Sequence, residues 1–339
     1  MKKLLKRNEF YVSLTIVLLC LLIQLQSGQF FTSTNLFDLM RSCIIPGMLS
    51  LGVMMQITAG SIDVSFPSIT MLSTYIVVKI STEGGYEGPV AFLFIAAGLI
   101  GLVLGLINGL LAAWLKLPTL IITLGTSSIY LGILQAVLKC RVYSVIAKPL
   151  ADLSKSYLSV ATNPQTGMTS PLPSVFLILL GTIILVYGIM RFTMLGRGIY
   201  AFGGDRVACE RAGFNALFIQ VFVFSFMGAL AGVAGVTRTV LTGSLQPTSL
   251  IGYEMTCIAA AVLGGTRLSG GVGTVGGTVL GVILMSMVTN SLILLGIPTY
   301  WAKFVTGVLI ILGVSFSAYQ TLKSKDKLTA TILDAGEGR

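Results

Sequence analysis

Histidine is absent from all 339 residues. That absence excludes His-based catalytic triads, His metal sites and imidazole proton relays together. Charge is also scarce: Asp, Glu, Lys and Arg make up 10% of the chain, against roughly 25% in a soluble globular protein. Of the 34 charged residues, five fall in residues 1–9 and seven in 323–339, leaving 22 across 10–322, while 55% of the chain is hydrophobic. Water could not solvate such a surface, so the middle of the chain belongs in a bilayer. No G-x-x-x-x-G-K-[ST] run occurs, so the chain carries no P-loop nucleotide site of its own. The five cysteines (Cys20, Cys43, Cys140, Cys209, Cys257) have no CxxC spacing and mostly sit in apolar runs. They pack as small hydrophobes and read as neither a disulfide framework nor a metal site. No nucleophile and base can be placed together, which sets a membrane enzyme aside. The net charge of +10 forms no basic stripe, so nucleic acid is not implied.

What is present is a series of long uncharged runs. A helix needs about 20 apolar residues to cross the hydrocarbon core. Residues 10–37, 42–62, 88–115, 117–138, 156–190, 212–237, 268–302 and 304–322 each hold such a stretch. Two shorter runs, 64–78 and 255–266, read as short or broken helices buried among the others. The expected fold is an all-α polytopic membrane protein with about ten transmembrane or half-membrane helices and broken, Gly-rich segments. A basic start (Lys2, Lys3, Lys6, Arg7) holds residues 1–9 in the cytoplasm by the positive-inside rule. No small-x-small cleavage site follows the first run, so it is expected to remain as an anchor. One membrane domain then spans 10–322, with a cytoplasmic tail at 323–339. Counting ten spans places 14 of the 22 Lys and Arg inside. The exception is the outer, periplasmic stretch 139–173, with Lys139, Arg141, Lys148 and Lys155.

Glycine is abundant, with 39 residues, and partly periodic. Ala97, Gly101, Gly105, Gly109 and Ala113 recur every fourth residue, as do Gly228 with Gly232 and Gly273 with Gly277 and Gly281. Such small-xxx-small stripes let helix backbones approach closely, either within one chain or between subunits. The run GVGTVG (271–276) matches G-x-G-x-x-G, but no strand precedes it and the next acid is Asp326, so it is not a dinucleotide site. Residues 264–271 instead read as a tight re-entry between membrane segments, where free backbone must be buried in protein or face water.

A carboxylate within the membrane is expensive unless paired or hydrated. Asp63 lies between Gly60 and Pro67, and Glu254 begins a short apolar run. Each could cap a helix N-terminus. Alternatively Asp63, with Gln56, Ser61, Asn108 or Asn290, lines a polar translocation path, with Glu254 as a further candidate.

The richest polar segment, 195–215, joins two spans. Gly203 and Gly204 break the chain, Asp205 suits an N-cap and Gly213 suits the position after the C-cap. They punctuate a helix of about two turns over 206–212, including Arg206, Ala208, Glu210, Arg211 and Ala212. So short a helix is unstable alone and must dock on something, either this chain or a cytoplasmic partner.

Four stretches carry a family resemblance: GSIDVS (60–65); GLING (105–109) with KLPTLIITLGT (116–126); Gly196-Arg197 through Gly203, Gly204, Ala212 and Gly213; and Tyr253-Glu254 with AAAVLGGT (259–266) and LSGG (268–271). From about residue 42 to 319 the chain resembles the membrane-spanning permease subunits of bacterial ABC importers for simple sugars, the ribose-type permeases. The resemblance implies a non-catalytic subunit of the inner (plasma) membrane. Residues 203–213 would be a coupling helix docking in a groove of a cytoplasmic ABC ATPase, which alone would bind ATP-Mg, so no cofactor is expected in this chain. It also implies a periplasmic sugar-binding protein outside, membrane lipid around it and a second permease subunit. Many relatives carry an acid where this chain has Thr256, which would suit one half of a heterodimer; a homodimer is the alternative. The competing function is an ion-coupled secondary transporter of a small polar solute. Such proteins need titratable groups near the midplane, and only Asp63 and Glu254 qualify.

Overall fold

The computed structural model describes residues 8–163, 167–298, 300–308, 311 and 315. The basic start at 1–7, the tail at 323–339 and most of the expected span 304–322 lie outside the described residues. The described chain is overwhelmingly helical. In order it forms α1 (Asn8–Ser27), α2 (Ser33–Ser42), α3 (Ile44–Thr58), α4 (Phe66–Glu83), α5 (Val90–Leu115) and α6 (Thr119–Gly132), the last running on into a π-helical turn, Ile133–Val137. There follow α7 (Lys148–Ser154), strands β1 (Tyr157–Thr162) and β2 (Thr169–Pro173), and α8 (Phe176–Phe192), α9 (Met194–Gly204) and α10 (Arg206–Arg211). The series ends with α11 (Ala216–Thr242), α12 (Tyr253–Leu263) and α13 (Val275–Leu294).

Among the described residues, five helical stretches are long and apolar enough to cross a membrane: those of α1, α5, α6 with its π turn, α11 and α13. Two bent pairs raise the number to seven, α2 with α3 at 42° and α8 with α9 at 74°. The two short apolar runs are helices buried among these. On α4 nearly every residue up to Val78 is inaccessible, and α12 buries Cys257 and Ala259 to Val262.

The helix expected within the uncharged run 156–190 is α8, and the part before it, inside the stretch 139–173, pairs as the antiparallel hairpin β1–β2, with Val160 opposite Pro171 and Thr162 opposite Thr169. Charge scarcity cannot distinguish an apolar helix from an apolar hairpin. Pro171 and Pro173 exclude a helix interior there.

The core is built around α3, every residue of which is buried, and around the seam between α5 and α11. That seam explains the glycine stripes. A Cβ on Gly101 would strike the Gly228 carbonyl, one on Gly105 the Phe224 carbonyl, and one on Gly232 the Ala97 carbonyl. Likewise Gly277 and Gly281 of α13 press on the Gly264 and Ala260 carbonyls. Without a hydrophobic driving force between helices in lipid, such close backbone packing is what holds them together.

The loops sort to two ends. At one, Thr274 donates to Glu9 (2.8 Å), the Gly271 N–H donates to the Thr58 carbonyl (2.8 Å), and the Ile62 N–H donates to Thr119 Oγ1 (3.0 Å). At the other, the stretch 139–173 gathers against its neighbours. Arg141 pairs with Glu83 (2.6 Å), Lys148 with Glu87 (3.6 Å), Tyr143 bridges Leu245, and Ser170 donates to Asp38 (2.6 Å). Two of the four basic residues that break the charge rule thus face acids.

Candidate translocation path and coupling segment

Helix α3 stops because Gly60 adopts φ +71°, a left-handed conformation that suits glycine. Residues 61–65 form no regular element, and α4 then begins at Phe66 with Pro67 in its first turn, where a missing N–H costs nothing. This break places Asp63 inside the bundle, 3% exposed. Its Oδ1 accepts from the Ser65 N–H (2.7 Å) and Ser65 hydroxyl (2.6 Å), and its Oδ2 from Gln56 Nε2 (2.9 Å). Asn108 of α5 donates to Ser65 Oγ (2.7 Å), and Tyr130 of α6 donates to Asn108 Oδ1 (3.0 Å). Asp63 is therefore not the N-cap of α4. Ser65 holds that position, and Asp63 braces it from two residues upstream. Gln56 Oε1 is buried with no hydrogen-bond partner among the described residues. Ser61 is buried beside this cluster, its N–H donating to the Gln56 carbonyl (2.9 Å).

Gln56, Ser61, Asp63 and Asn108 thus come together, but Glu254 and Asn290 do not join them. Glu254 lies in the first turn of α12 and is partly exposed; its N-cap is Gly252. Asn290 lines a separate cleft between α3, α12 and α13 with Ser42, Tyr253, Thr256, Ser286 and Thr289.

The polar segment 195–215 contains two helices rather than one. Thr193 caps α9, accepting from the Gly196 N–H (3.0 Å), and α9 runs through Gly203 and Gly204 instead of breaking before them. Asp205 then caps α10, its Oδ1 accepting from the N–H groups of Val207 (2.8 Å) and Ala208 (3.1 Å). Arg206 pairs with Glu210 (3.2 Å) and lies 5.5 Å from the Phe202 ring centroid. Ala212 is the C-cap and Gly213 turns out at φ +86°. Of residues 205–213 only Cys209 is buried, so α10 rests on α9 through Cys209 and the Arg206–Phe202 contact and presents its other side chains outward.

The glycines at the end of α9 serve close approach. A Cβ on Gly203 would overlap the Thr58 carbonyl and lie 2.8 Å from the Gly271 nitrogen, and one on Gly270 would press on the Gly203 carbonyl. Tyr200 of α9 donates to the Gly273 carbonyl (2.7 Å). The ends of α3 and α9 and the loop 264–274 therefore meet backbone to backbone.

Residues 35–314 match the family described as branched-chain amino acid transport system / permease component. The chain belongs to that family. This permease is 29% identical over 306 residues to the ribose import permease protein RbsC of Haemophilus influenzae, covering 90% of this chain and 92% of that protein. It is 31% identical over 318 residues to the autoinducer 2 import system permease protein LsrC of Photorhabdus luminescens, covering 93% and 92%. The ribose import permease RbsC of Escherichia coli K12 is 29% identical over 301 residues, covering 89% and 91%. No solved structure matches the chain. This is a multi-pass inner-membrane permease, a transport component.

Sequence reasoning about this permease missed Thr58, Ser65, Tyr130 and Tyr200, which bind or buttress the residues it named. Ser65 and Thr58 flank the Asp63 motif and were within reach of local reading. Tyr130 and Tyr200 meet their partners only through tertiary packing.

Proposed function

We propose that this permease is the membrane-spanning subunit of an ATP-driven importer for a simple sugar: a pentose, a hexose or a related small polyol. A periplasmic binding protein delivers the solute, and partner ABC ATPases, which bind ATP-Mg, drive alternating access. Two permease subunits form the membrane path. Family membership supports the class, and the relatives named for ribose and autoinducer 2 import support a small polar cargo. The end carrying α9 and α10 is taken as cytoplasmic, because the expected inward-facing Lys116, Arg191, Arg197 and Arg267 belong to it.

The observation that carries this reading is the position of α10. It is a short capped helix, exposed on nearly every residue, and the end of α9 that leads directly into it lies against the Thr58 carbonyl at Gly203. Thr58 opens the same turn that leads to Asp63. A push on α10 by a closing ATPase pair would reach the end of α3 through backbone, with no flexible side chain to absorb it. The Asp63 cluster, spanning α3, α4, α5 and α6 through hydrogen bonds, would move with that turn and shift the inner gate.

Purification from detergent and reconstitution test this. The expected result is copurification of an ATPase subunit and sugar uptake that needs ATP and the binding protein. Uptake by the chain alone, following an ion gradient and ignoring ATP, would overturn it.

A further inference from the structure

The cleft between α3, α12 and α13 differs from the Asp63 cluster in one respect: two of its polar side chains, Thr256 and Asn290, are both accessible and unpaired among the described residues. Ser42, Tyr253, Thr256, Ser286, Thr289 and Asn290 line a volume of about 140 Å³. Thr256 and Asn290 are partly exposed, and Thr289 is exposed. Thr289 satisfies itself on the Met285 carbonyl (3.0 Å). The Thr256 hydroxyl and Asn290 amide make no hydrogen bond to another described residue. By contrast, Asp63, Ser65 and Asn108 are consumed by one another.

Depth makes this informative. Asn290 lies about 22 Å and Ser286 about 16 Å along α13 from its first residue, at 1.5 Å per residue, and the hydrocarbon core is about 30 Å thick. Both are therefore at mid-membrane to outer-leaflet depth. Lipid there would leave each free donor and acceptor unsatisfied at a cost of several kcal/mol. The cleft must face water or protein. Its volume is also well under the roughly 300–1,000 Å³ of sites that enclose a ligand, so it could enclose a solute only with a second wall.

Resting on the importer reading, we infer that this cleft is the outer solute subsite. Its hydroxyls and the Asn290 amide would pair with the hydroxyls of a polyol, and the second permease subunit would supply the opposite wall. The Asp63 cluster, enclosed and bonded internally but with Gln56 Oε1 left over, would serve the moving parts instead.

The test uses the assembled transporter in cell membranes, with Thr256→Cys and Asn290→Cys in a background lacking the native cysteines. A charged, membrane-impermeant thiol reagent added outside should modify both at least tenfold faster than Ile184→Cys, whose side chain is exposed in the middle of the apolar helix α8. Rates equal to that control would overturn the proposal. A panel of labelled pentoses and hexoses then identifies the sugar the unmodified transporter takes up, and the Thr256→Val/Asn290→Leu variant should raise the KM for it about tenfold or more. An unchanged KM at normal membrane level would overturn the subsite. Uptake of none of the panel, or uptake independent of ATP, would instead overturn the sugar-importer reading, whatever the labelling rates.

Discussion

Gly203 of α9 sits against the carbonyl of Thr58 with no room for a side chain, and the same carbonyl accepts from the Gly271 N–H at 2.8 Å. Backbone cannot step aside as a flexible side chain can. Gly203→Val should therefore part α9 from α3. The expected outcome is protein that inserts normally but whose ATPase partner hydrolyses ATP without sugar uptake. Measuring both rates on one preparation checks it, and normal coupling would count against the junction as the link.

Asp205 holds α10 together through two N–H groups, and a six-residue helix has little else. Asp205→Ala should destabilise it by roughly 0.5–2 kcal/mol. Charge reversal at Arg206 and Arg211 should weaken ATPase binding without affecting insertion. Copurification yield is the readout, and full retention of the ATPase in both variants would contradict the docking role.

Asp63→Ala removes the acceptor for both Ser65 donors and for Gln56, leaving three buried donors unpaired. Each costs about 1–3 kcal/mol when unsatisfied. The variant should show lower thermal stability in detergent and lose uptake. Uptake by a correctly inserted Asp63→Ala protein would remove this cluster from the transport cycle.

The α5–α11 seam predicts a sharp contrast between glycines. Gly101→Leu must displace the Gly228 carbonyl, and overpacking of this kind costs roughly 1–3 kcal/mol or more. A Cβ on Gly125 of α6 meets nothing within 4 Å among the described residues. Gly125→Ala should be neutral, or stabilising by up to about 1 kcal/mol. Thermal unfolding of the two variants in one detergent separates them.

Tyr143, buried in the stretch 139–173, donates to Glu83 at 2.6 Å, and burial first, then this hydrogen bond, pushes its phenol up to about 12. The folded-state value lies above the ordinary value of about 10. Its contribution to stability is thus complete below about pH 10 and is lost as pH rises towards 12. Melting temperature followed from pH 9 to 12 should fall more steeply in the wild type than in Tyr143→Phe; equal slopes would contradict this.

Local chemistry was legible in the sequence. Asp205 and Gly213 marked the bounds of α10 because caps act on backbone groups a few residues away, and long uncharged runs marked the membrane helices. Partnership was not legible. The stripe through Gly101 and Gly105 could not reveal whether Gly228 or another subunit lay opposite. Nor could it separate Asn290 from Asp63, since residues of the same type sit in a closed cluster and an open cleft. The hairpin escaped for a related reason: β1 is as free of charge as a membrane helix.

The complete enclosure of α3 bears on how the protein is made. Several of its neighbours, α11, α12 and α13, are encoded more than 150 residues later, a lag of roughly ten to thirty seconds at about 5–20 residues per second. During that interval acyl chains or an insertase must occupy the flanks that those helices will later cover. Biogenesis of this subunit therefore includes a late step in which lipid or chaperone is expelled from around its most central helix.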